Sequence, residues 1–220
     1  MAFMINLDDF AFIVFLVCVS LYIFLLVYSI TQKKPSQRNV FNLIYKNWVD
    51  NRLKDDEPLV GIQALRNFIM SNSIFITALL ILLGILIGIY SSYNFKGIAF
   101  LGFIQLSVDV AKIVLNIFMI IFCLFNFILC IRMLNRTSLL LCGNPQEYSI
   151  GKYKGLELIQ KSFISAQNHW MYGIRGLFYL IATLFWLINT ILFMVCTIIV
   201  TLYLILFQDI WRVGKHTISN

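Results

Sequence analysis

Long apolar runs without a charged side chain are the feature that most limits how this chain can fold. Three of them cover residues 10–30, 74–93 and 113–131. Apolar runs of about 18 or more residues predict membrane-spanning helices, because about 20 helical residues cross the hydrocarbon layer. Hydrophobic residues make up 60% of the sequence and charged residues 12%, whereas soluble domains carry about 25% charged residues. The composition excludes a soluble globule and predicts an all-α integral membrane protein.

A fourth apolar stretch is too long for one straight helix across a membrane. Residues 170–207 contain a single charge, Arg175, and 38 helical residues measure about 57 Å against a hydrocarbon core of about 30 Å. Asn189 lies in the middle of this stretch. One long helix would place Asn189 at the bilayer centre, whereas a hairpin of two helices would place it at a membrane interface. We predict two spans, 172–188 and 191–207, with one long kinked helix as the alternative. The bundle therefore has four to five transmembrane helices.

Basic residues are concentrated in two of the segments that connect these runs. Seven Lys or Arg residues lie in 31–72 and six in 132–176, but only two lie between the second and third spans. Short loops rich in Lys and Arg stay on the cytoplasmic side. We therefore predict that 31–72 and 132–170 are cytoplasmic, in the plasma membrane, with the N-terminus outside. Five spans place the C-terminus in the cytoplasm and give a cleaner charge bias than four.

Both basic segments contain apolar residues at helical spacing. These residues are Val40, Phe41, Ile44 and Trp48 in the first segment, and Leu156, Ile159, Phe163 and Trp170 in the second. Such spacing predicts two amphipathic helices, near residues 40–53 and 156–169. Their apolar faces are expected to cover the cytoplasmic mouth of the bundle or to rest in the headgroup layer.

A few polar or small residues interrupt the apolar spans. Asn116 and Asn126 lie in the third run, where an amide group either bonds to another helix or lines a polar cavity. Gly84 and Gly88 form a GxxxG pattern in the second run. This spacing predicts close helix packing, within the chain or between two copies.

Motifs that carry catalysis or bind metals are missing from the sequence. The five cysteines form no CxxC pair or Cys/His cluster, so no metal site, no cofactor and no disulfide are predicted, and buried apolar filling is expected instead. No phosphate-binding loop, HExxH or GxSxG motif occurs. We predict no catalytic residue; an enzymatic activity stays undecided, and the missing motifs favour a non-enzymatic role.

Three blocks of residues carry a resemblance to a known family. The segment from Gln63 to Met70, QALRNFIM, resembles the QxLRNxIM signature that precedes the second span in an uncharacterised polytopic membrane family, domain-of-unknown-function family 599. The other blocks comprise Asn126, Arg132, Ser138 and Pro145, then Gly173 to Arg175, Phe178, Tyr179 and Trp186. The resemblance covers about residues 48–207 and implies a membrane bundle without an assigned activity. Relatives carry a proline after the last block, where this chain has Asn189-Thr190.

Three arginines of these blocks suggest an anion site. Arg66, Arg132 and Arg175 each lie at the predicted cytoplasmic end of a different helix. Guanidinium groups at one depth bind phosphate or carboxylate in a bidentate manner, and neutral partners lie nearby in sequence: Gln63, Asn67, Asn135 and Ser138. The alternative is that each arginine reaches its own lipid phosphate. We predict a site for an anionic lipid or a small anionic metabolite.

Three function classes follow from these predictions. The first is a membrane binding or scaffold protein that uses the arginine cluster. The second is a small transporter or channel with the cluster at its inner mouth and Asn116 and Asn126 along the path. A lipid-headgroup enzyme is the weakest alternative, because no nucleophile, base or metal site is evident. The lipid bilayer is the expected partner and no nucleic acid is expected; the oligomeric state is left open.

Overall fold

Six α-helices form the fold in the part of the chain that the computed structural model describes, residues 6–31, 37–54, 59–92, 99–100, 103–143, 149–150 and 153–209. They are α1 (Leu7–Thr31), α2 (Gln37–Lys54), α3 (Leu59–Ser92), α4 (Val108–Cys142), α5 (Gly155–Trp186) and α6 (Thr190–Tyr203), which continues as a π-helical segment, Leu204–Asp209. Two short antiparallel hairpins, which the sequence did not indicate, pair β1 (Ala99–Phe100) with β2 (Phe103–Ser107) and β3 (Ser149–Ile150) with β4 (Tyr153–Lys154). The predicted helical fold is confirmed in this form.

Among the described residues, three helices are long and apolar enough to cross a membrane. They are α1, within Leu7–Tyr28, and the whole of α3 and α4. The predicted spans 74–93 and 113–131 fall in α3 and α4, except that residue 93 lies outside the described residues. With 34 and 35 residues, these two helices measure about 51 and 52 Å. Each therefore extends well beyond a hydrocarbon layer of about 30 Å.

The apolar stretch 170–207 forms two helices with a break at residues 187–189. Asn189 has an extended backbone, and its Oδ1 accepts hydrogen bonds from the amides of Ile191 (2.8 Å) and Leu192 (3.4 Å). Asn is a preferred N-cap because its short side chain satisfies the free amides of a first helical turn. Ring contacts of Trp186 with Phe193 (4.8 Å) and of Phe178 with Tyr203 (5.5 Å) show that α6 returns along α5. Whether each helix crosses a membrane stays a prediction.

Contacts divide the chain into two compact units. Unit 1 comprises Met1–Asn39, Leu83–Ile120 and Arg175–Asn220, and unit 2 comprises Val40–Leu82 and Ile121–Ile174. In unit 1, α1 packs against α5 and α6 through aromatic rings. Phe15 contacts both Tyr179 (6.1 Å) and Phe193 (5.6 Å), and the Tyr179 hydroxyl is 3.2 Å from Thr201 Oγ1.

The core of unit 2 contains residues from four helices. Its buried members are Val49 of α2, Leu65 of α3, Cys130, Leu134 and Leu141 of α4, and Ile159, Phe163 and Ala166 of α5. Tyr45 and Trp48 place their rings 5.6 and 4.9 Å from that of Phe163, and Gln160 Nε2 donates to Asp50 Oδ1 at 2.7 Å. Helix α2 therefore packs lengthwise against the first half of α5.

The packed face of α2 differs from the apolar face that the sequence indicated. Trp48 is packed as expected, but Phe41 and Ile44 are exposed, and the fully buried residue is Val49. The second predicted helix, near 156–169, is the first half of the continuous helix α5. Contact of either stretch with lipid headgroups stays a prediction.

Candidate anion-binding site and buried polar clusters

Two contacts fix how α3 and α4 lie against each other in unit 2. A Cβ built on Gly61 is 3.2 Å from Leu141 Cδ2, and the rings of Phe75 and Phe127 stack at 5.3 Å. Gly61 and Phe75 are 14 residues apart on α3, and their partners Leu141 and Phe127 are 14 residues apart on α4, in the opposite direction along the chain. The helices are antiparallel with a constant register over this length.

This register brings most of the predicted anion-binding residues to similar levels. Arg66 lies five residues after Gly61 and Arg136 lies five residues before Leu141, so these two arginines are level with each other. By the same register, Asn67 is level with Asn135. Arg132 lies one helical turn away, about 6 Å along the axis of α4. The side chains of Arg66, Asn67, Arg132, Asn135 and Arg136 are all exposed. Two helices therefore present three arginines over a short length of unit 2.

These arginines lack acidic partners within the described residues. No carboxylate of that part of the chain lies within ion-pair distance of Arg66 or Arg132. Arg136 was missed by the sequence reasoning, although its i, i+4 spacing from Arg132 places both on one face of a helix. Gln63 is exposed, whereas the Ser138 hydroxyl donates to Leu134 O at 3.0 Å on its own helix.

Arg175 differs from the other two predicted arginines. It begins the last segment of unit 1, whereas Arg66 and Arg132 belong to unit 2. It is 6% exposed, and it makes interactions with its surroundings. A site shared by all three arginines stays a prediction, and the described geometry concerns the α3–α4 pair alone.

The two asparagines that were predicted to lie within a span bond to other helices. In unit 1, Asn116 Nδ2 donates to Lys112 O (2.9 Å) and to Thr183 O (3.1 Å), and Thr183 Oγ1 donates to Asn116 Oδ1 (2.9 Å). In unit 2, Asn126 Nδ2 donates to Phe122 O at 2.9 Å, and its Oδ1 lies 3.3 Å from His169 Nδ1. Both side chains are buried. Hydrogen bonding between helices, one of the two expected roles, accounts for each amide.

His169 has a defined partner and a shifted titration. Because Asn126 Oδ1 is an acceptor, the contact requires that His169 Nδ1 carries a proton and donates. Burial lowers the pKa of His169, because it removes water from the charged imidazolium. The neutral ring with its Nδ1–H is therefore the form that the fold favours.

Close packing at glycine within the chain is found at Gly173, and packing between two copies through Gly84 and Gly88 stays a prediction. Among the described residues, nothing lies within 4 Å of a Cβ built on Gly84 or Gly88. A Cβ on Gly173 would instead lie 2.7 Å from Cε1 and 2.9 Å from Cζ of Phe127. The Gly173 position thus lets α5 approach α4 closely, which gives a physical role to one residue of the third resemblance block.

A polar junction in unit 1 was missed by the sequence reasoning. Asp8 Oδ1 accepts from Thr190 Oγ1 (2.6 Å) and Trp186 Nε1 (2.8 Å), and it lies 3.2 Å from Lys112 Nζ. Lys112 Nζ also lies 4.0 Å from Asp109 Oδ1, its i, i+3 neighbour on α4. Asp8 therefore joins the starts of α1, α4 and α6 to the end of α5.

Comparison with known proteins adds a family and no activity. A family model described as "Protein of unknown function, DUF599" matches residues 10–210, which confirms the resemblance. No curated protein and no solved structure matches the chain. Among the described residues, no group of three or more His, Cys, Asp or Glu is placed to hold a metal ion.

Proposed function

This chain belongs to the DUF599 family of proteins of unknown function, and we propose that it is a membrane binding or scaffold protein that holds an anionic lipid headgroup at an arginine site. The site consists of Arg66 on α3 together with Arg132 and Arg136 on α4. Gln63, Asn67, Asn135 and Ser138 are the neutral side chains of these two helices near the arginines in sequence. Arg175 is a separate candidate on α5.

The membrane arrangement that supports this function has five passes. The N-terminus is outside, the C-terminus is in the cytoplasm, and the protein lies in the plasma membrane. The excess of Lys and Arg in 31–72 and 132–176 supports this orientation. The break at Asn189, with α6 returning along α5, supports a hairpin in the last apolar stretch.

One observation carries the proposal: the antiparallel register of α3 and α4 places Arg66 level with Arg136 and one turn from Arg132. Exposed like charges at similar levels repel each other unless an anion lies among them. The phosphate of an anionic lipid fits because arginine forks bind phosphate through paired, charge-assisted hydrogen bonds. Any basic residue near an anionic membrane surface is attracted by about 1 kcal/mol. A specific site must therefore bind the lipid more tightly than this general attraction does.

Retention of lipid by the purified protein tests this proposal. Native mass spectrometry compares bound phosphatidylglycerol with bound phosphatidylcholine for the wild type, Arg66→Gln and Arg132→Gln. Both variants are expected to lose the preference for phosphatidylglycerol and to remain folded. Lys46→Gln is the matched control, because it removes one exposed positive charge on a different helix.

A competition arm separates a lipid from a soluble metabolite as the source of the phosphate. If inorganic phosphate or glycerol phosphate displaces phosphatidylglycerol at equal concentration, the site is one for small anions. If Lys46→Gln reduces the preference as much as Arg66→Gln does, general surface charge explains the binding and the site is refuted. Among the described residues, no observation favours the transporter or enzyme alternatives, since Asn116 and Asn126 are bonded to other helices.

A further inference from the structure

One threonine on the buried face of α6 has a hydroxyl group that bonds to no other part of the protein. Phe193, Thr197 and Thr201 form this face in unit 1. Thr197 is completely buried, and its Oγ1 atom makes no hydrogen bond to any of the described residues. Burying a hydroxyl without a partner carries a desolvation cost that nothing offsets. This atom therefore marks a position where a further polar group would stabilise the fold.

Other hydroxyl groups of this chain avoid that cost by bonding to their own helix. Ser73 and Thr77 on α3 each donate to the carbonyl oxygen four residues earlier, both at 3.0 Å. Thr201, one turn after Thr197, donates in the same way to Thr197 O at 2.7 Å. This bond is open to serine and threonine inside helices, yet Thr197 does not make it to Phe193 O. Its hydroxyl is left for a partner outside the backbone of α6.

A second pair of hydroxyl groups lies one helical turn from Thr197, at the contact of α5 with α6. Tyr179 Oη is 3.2 Å from Thr201 Oγ1, and both residues are buried. Because the hydroxyl hydrogen of Thr201 is directed to Thr197 O, Tyr179 is the donor in this pair. Tyr179 Oη thus keeps its capacity to accept a hydrogen bond. Thr201 and Thr197 are four residues apart, or about 6 Å along the helix.

Aromatic rings of α1 cover this part of α5 and α6. The Phe15 ring lies 6.1 Å from that of Tyr179 and 5.6 Å from that of Phe193. Two turns further along α1, the Tyr22 ring lies 6.1 Å from that of Tyr179. Thr197 comes between Phe193 and Thr201 on α6, so it lies within these apolar surroundings. In a site of low dielectric, a missing hydrogen bond is costly and a completed one is strong.

We propose that one ordered water molecule binds between Thr197 and Tyr179 and joins α6 to α5. The Thr197 hydroxyl donates to the water oxygen, and the water donates to Tyr179 Oη. Two hydrogen bonds of about 2.8 Å each bridge a gap of up to about 5.6 Å, which is close to one helical turn. Buried waters typically make two to four bonds to groups that are otherwise unsatisfied. An ion does not suit the site, because hydroxyls and rings carry no compensating charge.

A crystal structure of the full chain, at a resolution that shows ordered waters, tests the proposal directly. The wild type is expected to show one water within hydrogen-bond distance of both Thr197 Oγ1 and Tyr179 Oη. Thr197→Val keeps the shape of the side chain, removes the hydroxyl and is expected to lose that water. A wild-type map with ordered waters elsewhere and none here overturns the proposal. A Thr197 hydroxyl that donates to Phe193 O or to another protein group overturns it as well.

Unfolding by dodecyl sulfate in mixed micelles separates a bound water from an unpaired hydroxyl. If water joins the two side chains, Thr197→Val and Tyr179→Phe each lower the unfolding midpoint, and the double variant lowers it by less than the sum. An unpaired hydroxyl predicts the opposite for Thr197→Val, because a methyl group of the same shape removes a buried polar atom without losing a bond. An unchanged or raised midpoint for Thr197→Val, or purely additive effects, overturns the proposal.

Thr77→Val on α3 is the matched control for these measurements. Thr77 is exposed and donates to Ser73 O on its own helix, so its loss is expected to shift the midpoint much less than Thr197→Val does. Equal shifts would assign the effect to valine in a helix and overturn the bridging water. Arg66→Gln and Arg132→Gln, which lie in unit 2, are expected to leave the water in place. The water site and the proposed arginine site can therefore each fail alone.

Discussion

Replacing Gly173 by alanine tests the packing of α5 against α4 in unit 2. The new Cβ would lie 2.7, 2.9 and 3.0 Å from three ring atoms of Phe127. Ordinary contact begins at 3.4 Å, so the nearest atom must move by about 0.7 Å. Phe127 is completely buried and stacks on Phe75, which leaves the ring little room to move.

The expected cost follows from two opposing effects. Overpacking a core costs about 1–3 kcal/mol, and three ring atoms that must move together place Gly173→Ala near the upper end. Alanine recovers about 1 kcal/mol of helix propensity relative to glycine. We expect the unfolding free energy to fall by about 1–2 kcal/mol in total.

Gly84→Ala is the matched control on α3. Nothing among the described residues lies within 4 Å of its Cβ position, so only the propensity gain applies. We expect Gly84→Ala to stabilise the protein by about 0.5–1 kcal/mol. Reversible unfolding by dodecyl sulfate in mixed micelles, followed by tryptophan fluorescence, measures both variants.

A double-mutant cycle attributes the effect to the contact with Phe127. In a Phe127→Leu background the ring is absent, and Gly173→Ala should cost much less than it does in the wild type. Equal stability of Gly173→Ala and Gly84→Ala, or the same cost with Leu at position 127, would show that Phe127 does not limit the side chain at position 173.

Three further variants test other parts of the structure. Asp8→Ala removes the acceptor shared by three donors in unit 1 and should cost about 1–3 kcal/mol of unfolding free energy; no loss would mean that the junction does not hold the helices. Trp48→Asp places a charge in the α2–α5 packing and should cost about 1–3 kcal/mol, whereas Asp at the exposed Asn47 position should cost much less. Because burial lowers the pKa of His169 in the folded state, its contribution to stability is full above the unfolded value of about 6.5 and is lost as the pH falls below it. His169→Gln should flatten that part of a pH–stability curve, and an unchanged curve would contradict the assigned neutral ring.

The sequence predicts the long apolar helices well because hydrophobic length is a local property. The runs at 10–30, 74–93 and 113–131 have no charge to place at a bilayer centre, and each follows one long helix through all of its described residues, which end at residue 92 in the second run. Asn189 is also readable locally, since an asparagine between two apolar stretches can end one helix and cap the next. Local pattern gives no reason to expect the two short hairpins, whose strands of two to five residues carry too little periodicity.

The contacts between distant residues are the part that sequence reasoning could not supply. Asp8 lies just before the first apolar run, and its bonds to Trp186 and Thr190, which are 178 and 182 positions away, depend on how the helices pack. The buried face of α2 likewise depends on a distant residue, Phe163 of α5, against which α2 packs. The core therefore contains Val49 of α2 and leaves Phe41 and Ile44 exposed. The i, i+4 spacing of Arg132 and Arg136 could have identified Arg136 as a further site residue. That Arg136 is level with Arg66 follows only from the register of α3 and α4.

Labelling of introduced cysteines in intact cells most directly tests the claim that the arginines of α3 and α4 share the cytoplasmic side of a membrane. Asn67→Cys and Asn135→Cys mark the arginine levels, Asn189→Cys marks the turn between α5 and α6, and native cysteines are replaced by alanine. We expect a membrane-impermeant maleimide to label position 189 in intact cells, and to label positions 67 and 135 only after permeabilisation. Labelling of position 67 or 135 from outside, or of only one of them after permeabilisation, would contradict it.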